Sequence, residues 1–206
     1  ELLEKINDYK IKHWFPIDIL PEGLKTKDPK ARDVYYVHQF YTKRNLIALS
    51  AFYSKIDESP VANVLRFLFT SLLNLTSKRN RVQARNPYSR GQGVLALTLV
   101  LPPLPTEASL IEMIDMRLTS IINAIETIPQ GHFNVQYVSS ADNLLIADNS
   151  IDYIFTDPPF GANINYSELN SMHEPWIKVT TNNNREAIVN PYQGKSEQTY
   201  RDSMYS

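Results

Sequence analysis

The chain has 206 residues, of which 43% are hydrophobic and 21% are charged, and its formal net charge is −1. This suits one substantial domain, or a core with a helical elaboration, and excludes a disordered chain. The absence of cysteine excludes disulfides, thiolate metal sites and a cysteine nucleophile. Because no apolar run approaches 18 residues and no signal or transit peptide is recognisable, we expect a cytoplasmic protein without a membrane partner.

The first 93 residues are predicted to be mainly helical. A short helix is expected over residues 1–12, and Ser59 followed by Pro60 predicts a helix that extends to Leu75. Between them, residues 33–56 carry apolar side chains at helical spacing. Five of these side chains are expected on the inner face: Leu46, Leu49, Ala51, Phe52 and Ile56.

This helical region ends in a basic loop at residues 78–90. No acidic residue stands between Ser59 and Thr106. The loop is interleaved with asparagine, glutamine and tyrosine, a mixture suited to phosphate and base contacts. A basic run is also typical of an ordinary solvated loop, so both interpretations stay open. The five candidates for nucleic-acid binding are Lys78, Arg79, Arg81, Arg85 and Arg90.

Residues 94–206 are predicted to form an α/β region. A strand is expected at residues 94–101, followed by a helix that Thr106 caps and that ends near residue 128. Two more strands are predicted at residues 133–138 and 151–156, and the second is apolar on both faces, as in a buried central strand. This order indicates a Rossmann-like sheet. The helix is expected to bury a stripe of Leu110, Ile114, Leu118, Ile121 and Ile125.

The sequence Asp157-Pro158-Pro159-Phe160 follows the last predicted strand directly. Asp-Pro is also an ordinary turn opener, and an aromatic residue after a loop is often part of the core. A catalytic role is favoured because functional residues of open α/β sheets gather beyond the carboxyl ends of the strands.

These four residues suit methylation of a nucleobase amino group. The amino nitrogen is a poor nucleophile, because its lone pair is delocalised into the ring. If the Asp157 carboxylate and the Pro158 carbonyl each accept one amino hydrogen, the lone pair is aimed at the incoming methyl group. Prolines stiffen the loop, and Phe160 would stack on a flipped base. Three following residues would shape the base pocket or, equally, satisfy loop backbone groups: Asn163, Asn165 and Tyr166.

The motif resembles the catalytic motif of S-adenosylmethionine-dependent amino methyltransferases, which modify adenine N6 or cytosine N4 in DNA. Further segments look like one bacterial and archaeal branch of site-specific DNA methylases. They are residues 38–49, which contain Thr42-Lys43-Arg44-Asn45-Leu46, and residues 161–170, Glu174, Trp176, residues 186–188, residues 193–196 and Tyr200. The resemblance covers most of the chain.

One element of that family does not occur in this sequence. The Asp-Pro-Phe-x-Gly-x-Gly type turn that cradles S-adenosylmethionine is missing, and Gly91-Gln92-Gly93 precedes a predicted strand instead of a helix. The chain also stops inside a helix predicted to begin near Glu197. We therefore expect a fragment whose main cofactor loop lies before Glu1. The cofactor contacts that the resemblance implies here are Ser140, Asp142 and Asp157. Asp142 is equally typical of a plain loop or helix-capping residue, so both interpretations of it stay open.

The resemblance implies an α/β fold in which residues 94–206 form an incomplete Rossmann-like methyltransferase core and residues 1–93 a mainly helical N-terminal elaboration. It implies methyl transfer from S-adenosyl-L-methionine to DNA, to adenine more than to cytosine, as in restriction-modification enzymes. An RNA methyltransferase acting on guanine N2 is an alternative, since that group uses a closely similar loop. A nucleic-acid-binding module of the same fold without a cofactor site is a third possibility.

Other chemistries are not supported by the residues. The four histidines show no spacing suited to a metal ion, so no metal site is predicted. Glu168 and Glu174 lie six residues apart and are expected to be structural or hydrogen-bonding residues, not an acid-base pair.

Overall fold

The computed structural model describes residues 1–82, 93–128, 144–158 and 160–205. Within these ranges the α-helices are α1 (Leu2–Asp8), α2 (Lys27–Lys30), α3 (Lys43–Ile56), α4 (Ala62–Leu75), α5 (Leu110–Glu126), α6 (Tyr166–Asn170) and α7 (Glu197–Tyr205). Turns of 3-10 helix lie at Val37–Phe40, Glu174–Ile177 and Pro191–Gln193. None of the described helices combines the length and the apolar character needed to cross a membrane.

Helix α3 begins at a side-chain cap and is tied to two other parts of the chain. Thr42 accepts a hydrogen bond from the backbone N–H of Asn45 at 3.2 Å, which satisfies one open donor of the first turn. Asn45 is buried, and its Nδ2 donates to the carbonyls of Thr76 at 2.8 Å and Ala108 at 2.9 Å. One amide therefore joins α3 to the end of α4 and to the segment before α5.

The hydrophobic core lies between α3, α4 and α5. Its centre is Phe69 of α4, whose ring lies 5.8 Å from that of Phe52, 5.3 Å from that of Tyr53 and 5.3 Å from that of Trp176. Trp176 belongs to the 3-10 turn that follows α6. The core thus connects the helical region to the part of the chain just after the candidate catalytic loop.

The inner face of α5 differs from the predicted stripe. The helix begins at Leu110 with Ser109 as its N-cap, not at Thr106. Leu110 and Ile121 are buried as predicted, and so is Met113. Two predicted members of the stripe, Leu118 and Ile125, are instead 37% and 51% exposed. Ile125 lines an apolar groove of about 610 Å³ between α4 and α5, so the two helices do not close over this part of α5.

The described parts of the chain form isolated antiparallel bridges instead of a sheet. Residues 94–101 contain a turn with Leu97 in the left-handed region, at φ +57°, which interrupts the predicted alternation. Residues 151–156 are exposed and unpaired, and the exposed fractions of Tyr153, Ile154 and Phe155 are 80%, 74% and 82%. A strand needs a neighbour to pair with, and the described residues supply none beside either run.

These two predicted strands are therefore not found as strands, and the second is not buried. The third predicted strand, at residues 133–138, lies outside the described residues. The α/β class and the division into residues 1–93 and 94–206 remain predictions. The predicted helix ends near Ile56 and Leu75 and the predicted start near Glu197 are confirmed. The starts of the first two helices differ from the prediction, since α3 begins at Lys43 instead of near residue 33 and α4 begins at Ala62 instead of Pro60.

Candidate active site

The loop at residues 157–160 lies on the surface. Asp157 and Pro158 are exposed, and the ring of Phe160 is 63% exposed. Pro159 lies outside the described residues. An accessible carboxylate close in sequence to an accessible aromatic ring can meet a flat base that approaches from solvent, because one group accepts hydrogen bonds and the other stacks.

The residues after Phe160 attach this loop to the rest of the molecule. The backbone N–H of Asn163 donates to the carbonyl of Phe160 at 3.0 Å. Gly161 has φ +55°, a conformation that glycine adopts without a steric penalty, and its carbonyl accepts a hydrogen bond from the N–H of Val189 at 3.3 Å. The C-terminal side of the loop is therefore held against the segment around residue 189.

The three residues predicted to shape a base pocket differ in accessibility. Asn163 is exposed, and Tyr166, the first residue of α6, is 47% exposed. Asn165 is fully buried at the N-cap of α6, and its Oδ1 and Nδ2 find no partner among the described residues. An unpaired buried amide costs about 1–3 kcal/mol. A base can thus reach Asn163 and Tyr166 directly, whereas Asn165 is covered.

Glu168 is a buried carboxylate in the middle of α6. It is 1% exposed and accepts hydrogen bonds from the backbone N–H of Lys25 at 2.6 Å and from Nδ2 of Asn190 at 2.7 Å. Gly23 lies so close that a Cβ atom at this position would stand 2.1 Å from Cδ of Glu168. The prediction that Glu168 is a hydrogen-bonding residue is confirmed. Three segments that are distant in the chain meet at this carboxylate.

Ser167 is the centre of a second polar network beside Glu168. Its Oγ donates to Oε2 of Glu186 at 2.9 Å and accepts from Nε2 of Gln193 at 3.2 Å. Nζ of Lys195 donates to the main-chain oxygen of Glu186 at 2.6 Å. Burial, which outweighs the opposing effect of Glu186, lowers the pKa of Lys195. The downstream segments that carry the family resemblance therefore converge around α6.

A polar cavity of about 420 Å³ opens beside these networks. Carboxylates and amide groups in its lining can accept hydrogen bonds from amino groups. No group of three or more potential ligands that could hold a metal ion occurs among the described residues. The polar lining includes Asp18, Glu22, Ser167, Glu168, Glu174 and Gln193.

The basic loop is described in part, since Arg85 and Arg90 lie outside the described residues. Lys78 is half-buried, its Nζ donates to a main-chain carbonyl of the 3-10 turn before α3 at 3.0 Å, and burial lowers its pKa. Arg81 is half-buried, and its Nε donates to a main-chain carbonyl at 3.4 Å. Lys78 and Arg81 both keep part of their surface in solvent.

Arg79 is an internal cation, which corrects its prediction as a nucleic-acid contact. It is 5% exposed, Nη1 donates to Oδ1 of Asn74 at 2.6 Å, and Nη2 donates to the carbonyl of Thr98. Sδ of Met172 lies 3.7 Å from Nη1. Burial lowers the pKa of Arg79 to about 10, so the group stays protonated at neutral pH. Because the guanidinium is buried and Nη1 and Nη2 both donate to internal acceptors, it is not free to bind a phosphate.

Two titratable neighbours of Arg79 are neutral at pH 7. Burial, and then the positive charge of Arg79, lower the pKa of His173 to about 4, although Glu174 opposes the shift. Burial raises the pKa of the Tyr41 phenol. Neither side chain therefore gains or loses a proton near neutral pH, and both act here as packing groups.

The residues predicted to bind S-adenosylmethionine are largely beyond the described ranges. Ser140 and Asp142 lie outside the described residues. Asp157 is exposed and lines neither the polar cavity nor the groove between α4 and α5. Since Asp157 alone of the three predicted contacts is described, cofactor binding stays a prediction from the resemblance.

Comparisons with protein-family models, curated proteins and solved structures gave no match for this chain.

The sequence did not reveal the partners of Glu168. Nothing in the local pattern marks Gly23 or Lys25, because their contact with Glu168 joins positions more than a hundred residues apart. A turn at Asn190 could have been predicted, since Asn190 precedes Pro191 and Asn-Pro commonly opens a turn. In the structure Asn190 caps the 3-10 turn Pro191–Gln193 by accepting from the N–H of Tyr192.

Proposed function

We propose that this chain carries the base-binding part of the active site of an S-adenosylmethionine-dependent DNA methyltransferase. The methyl group goes to the exocyclic amino nitrogen of adenine, with cytosine as the less favoured target. The observation that carries the proposal is the exposed loop at residues 157–160, in which Asp157, Pro158 and Phe160 are accessible to a base. The resemblance of this loop to the amino methyltransferase motif is the second support.

Each residue of the loop has a separate role in this proposal. The carboxylate of Asp157 and the carbonyl of Pro158 accept the two amino hydrogens, which draws the nitrogen towards tetrahedral geometry and aims its lone pair outward. Phe160 stacks on the face of the base, which reaches the loop after flipping from the duplex. The methyl group itself comes from S-adenosylmethionine.

The nucleic acid is held by phosphate contacts in addition to the base. Arg81 and Lys78 have surface in solvent, and Arg85 and Arg90 belong to the same basic run. Arg79 is not part of this set, because its guanidinium is buried. Phosphate contacts of this kind release counterions, so DNA affinity is expected to fall as salt rises.

The reaction is tested by transfer of a tritiated methyl group, with the intact protein, to duplex DNA and separately to transfer RNA. We expect label on DNA that resists ribonuclease. Label confined to RNA would contradict the DNA proposal and favour a guanine N2 methyltransferase. Salt-dependent DNA binding without any methyl transfer would favour a binding module.

The first prediction concerns Asp157. Asp157→Ala removes one of the two acceptors for the amino hydrogens, so we expect kcat to fall by about 10²- to 10³-fold, by analogy with the loss of one preorganised hydrogen bond. Calorimetry of S-adenosylmethionine binding measures separately any loss of cofactor affinity, because the resemblance also implies that Asp157 contacts the cofactor. The matched control is Asp152→Ala, since Asp152 is also exposed and lies five residues earlier. Near wild-type turnover in Asp157→Ala would place the catalytic centre elsewhere.

A further inference from the structure

We infer that Glu168 is a positioning residue for the loop at residues 157–160 and acts on it through Asn190. This inference rests on the proposed function. Glu168 lies in α6, and the first residue of α6 comes six positions after Phe160. Its carboxylate influences the loop through a short series of hydrogen bonds.

The first part of the series fixes the side chain of Asn190. Nδ2 of Asn190 donates to Glu168, and its Oδ1 accepts from the N–H of Tyr192 at 3.0 Å. The main-chain N–H and carbonyl of Asn190 both pair with Lys195, at 2.9 and 3.0 Å. Asn190 is 0% exposed. With both side-chain groups and both main-chain groups engaged, Asn190 has one orientation.

The second part connects Asn190 to the catalytic loop. The preceding residue, Val189, donates its N–H to the carbonyl of Gly161 at 3.3 Å. Gly161 directly follows Phe160, whose own carbonyl accepts from Asn163. A displacement of Asn190 therefore moves the donor that holds Gly161 and, with it, the ring of Phe160.

The position of Glu168 requires a carboxylate. Both of its partners are donors, the N–H of Lys25 and the amide of Asn190, and each uses a different carboxylate oxygen. A glutamine has one oxygen, so it accepts from one partner and turns an NH₂ group towards the other. Glu168→Gln thus loses one of the two bonds with almost no change in volume, whereas Glu168→Ala loses both.

Gly23 offers a second way to disturb the same carboxylate. A Cβ atom at Gly23 would stand 2.1 to 2.4 Å from the carboxylate atoms of Glu168, so Gly23→Ala must displace them. Glu168 is buried and held by two hydrogen bonds, so this displacement costs those bonds. The two substitutions therefore disturb the contact between Gly23 and the Glu168 carboxylate, one from each partner.

The second prediction tests, by enzyme kinetics, whether the contact between Glu168 and Gly23 affects methyl transfer. In the intact protein, Glu168→Gln and Gly23→Ala are each expected to lower kcat of methyl transfer by about 10- to 100-fold, because small misplacements of reacting groups cost that much. KM for S-adenosylmethionine should stay unchanged. Glu58→Gln is the control, since Glu58 accepts from Nζ of Lys55 at 2.8 Å and has no bond to the Asn190 series.

Two further measurements test the positioning role: the kcat of a double variant and amide hydrogen exchange at Val189. If Gly23→Ala acts only through Glu168, Gly23→Ala added to Glu168→Ala lowers kcat no further, because the clash and the bonds are already gone. Amide hydrogen exchange at Val189, whose N–H donates to Gly161, should accelerate at least 10-fold in Glu168→Gln and in Glu168→Ala. An unchanged Val189 rate in both variants, or a wild-type kcat in both, would overturn the positioning role.

The exchange measurement also separates this inference from the proposed function. It needs no methyl transfer, so it reports on the coupling between Glu168 and Gly161 even in a protein that proves inactive. An inactive wild-type protein with faster Val189 exchange in Glu168→Gln would sink the proposed function and keep the coupling. An active wild-type protein, with unchanged Val189 exchange in the variant, would support the proposed function and contradict the coupling.

Discussion

Arg79 and Asn45 illustrate how one polar side chain can hold several segments together. Each is buried, and each donates hydrogen bonds to acceptors from distant parts of the chain. In the sequence, Arg79 belongs to a basic run that favours a nucleic-acid surface, because charge runs are normally solvated. In the folded chain, Arg79 is buried instead of solvated. The sequence cannot indicate which arginine turns inward, since the acceptors for Arg79 come from residues up to Met172.

The third prediction concerns His173 at acid pH. The unfolded chain protonates His173 near pH 6.5, whereas in the folded protein burial and Arg79 lower its pKa to about 4. Between these values the unfolded state binds more protons, so the free energy of unfolding falls as pH drops from about 6.5 to about 4. The loss is up to about 3 kcal/mol and levels off below pH 4.

Urea unfolding at several pH values measures this effect. His173→Gln removes the titrating group, so the difference in free energy of unfolding between wild type and variant should vary across the same pH window. A difference that stays constant from pH 7 to pH 4 would contradict a buried neutral histidine.

At the level of elements, the ends of α3 and α4 were predictable, whereas two of the three predicted strands are not found as strands among the described residues. The apolar spacing of α3 and α4 and the end points near Ile56 and Leu75 are local properties, because a helix forms its hydrogen bonds within itself. A strand depends on a partner that the local sequence does not specify, and residues 151–156 have none among the described residues. The same limit applies to the candidate site. The loop at residues 157–160 is recognisable from a local sequence motif, whereas no local pattern indicates the contact of Gly23 with Glu168.

The fourth prediction compares two phenylalanines on α4. Phe69 is fully buried in the core, whereas Phe67, two residues earlier, is 64% exposed and borders the groove between α4 and α5. Phe69→Ala is expected to lower the free energy of unfolding by about 3–5 kcal/mol, because it leaves a cavity. Phe67→Ala should stay within about 0.5 kcal/mol of wild type.

Denaturant unfolding monitored by circular dichroism provides both values. The two variants delete the same atoms from the same helix. The difference between their free energies of unfolding therefore measures the effect of burying the ring. Equal losses at the two positions would show that α4 packs through a different face.

At the scale of the whole molecule, the described surface includes an apolar run at residues 153–155. Three consecutive side chains in this run are each at least 74% exposed. Consecutive exposed apolar residues are typical of a surface that is covered by another segment or molecule.

The fifth prediction tests this surface. The protein is expected to enhance the fluorescence of an apolar dye such as anilinonaphthalene sulfonate in the native state. Ile154→Thr combined with Phe155→Thr should reduce that signal and change the free energy of unfolding by no more than about 0.5 kcal/mol, since both side chains are exposed. A large loss of stability in this double variant would show that the run is packed in solution.

The hydrogen bond between Lys25 and Glu168 also bears on the order of folding. It joins residues 143 positions apart, whereas the bond from Asn190 to the same carboxylate spans 22. In an unfolded chain, closing the longer loop costs about 1.7 kcal/mol more in chain entropy than closing the shorter one. Asn190 is therefore expected to reach Glu168 first. We expect the contact from Lys25 to form later, so that the hydrogen bonds of Glu168 are complete only after residues 25, 168 and 190 have come together.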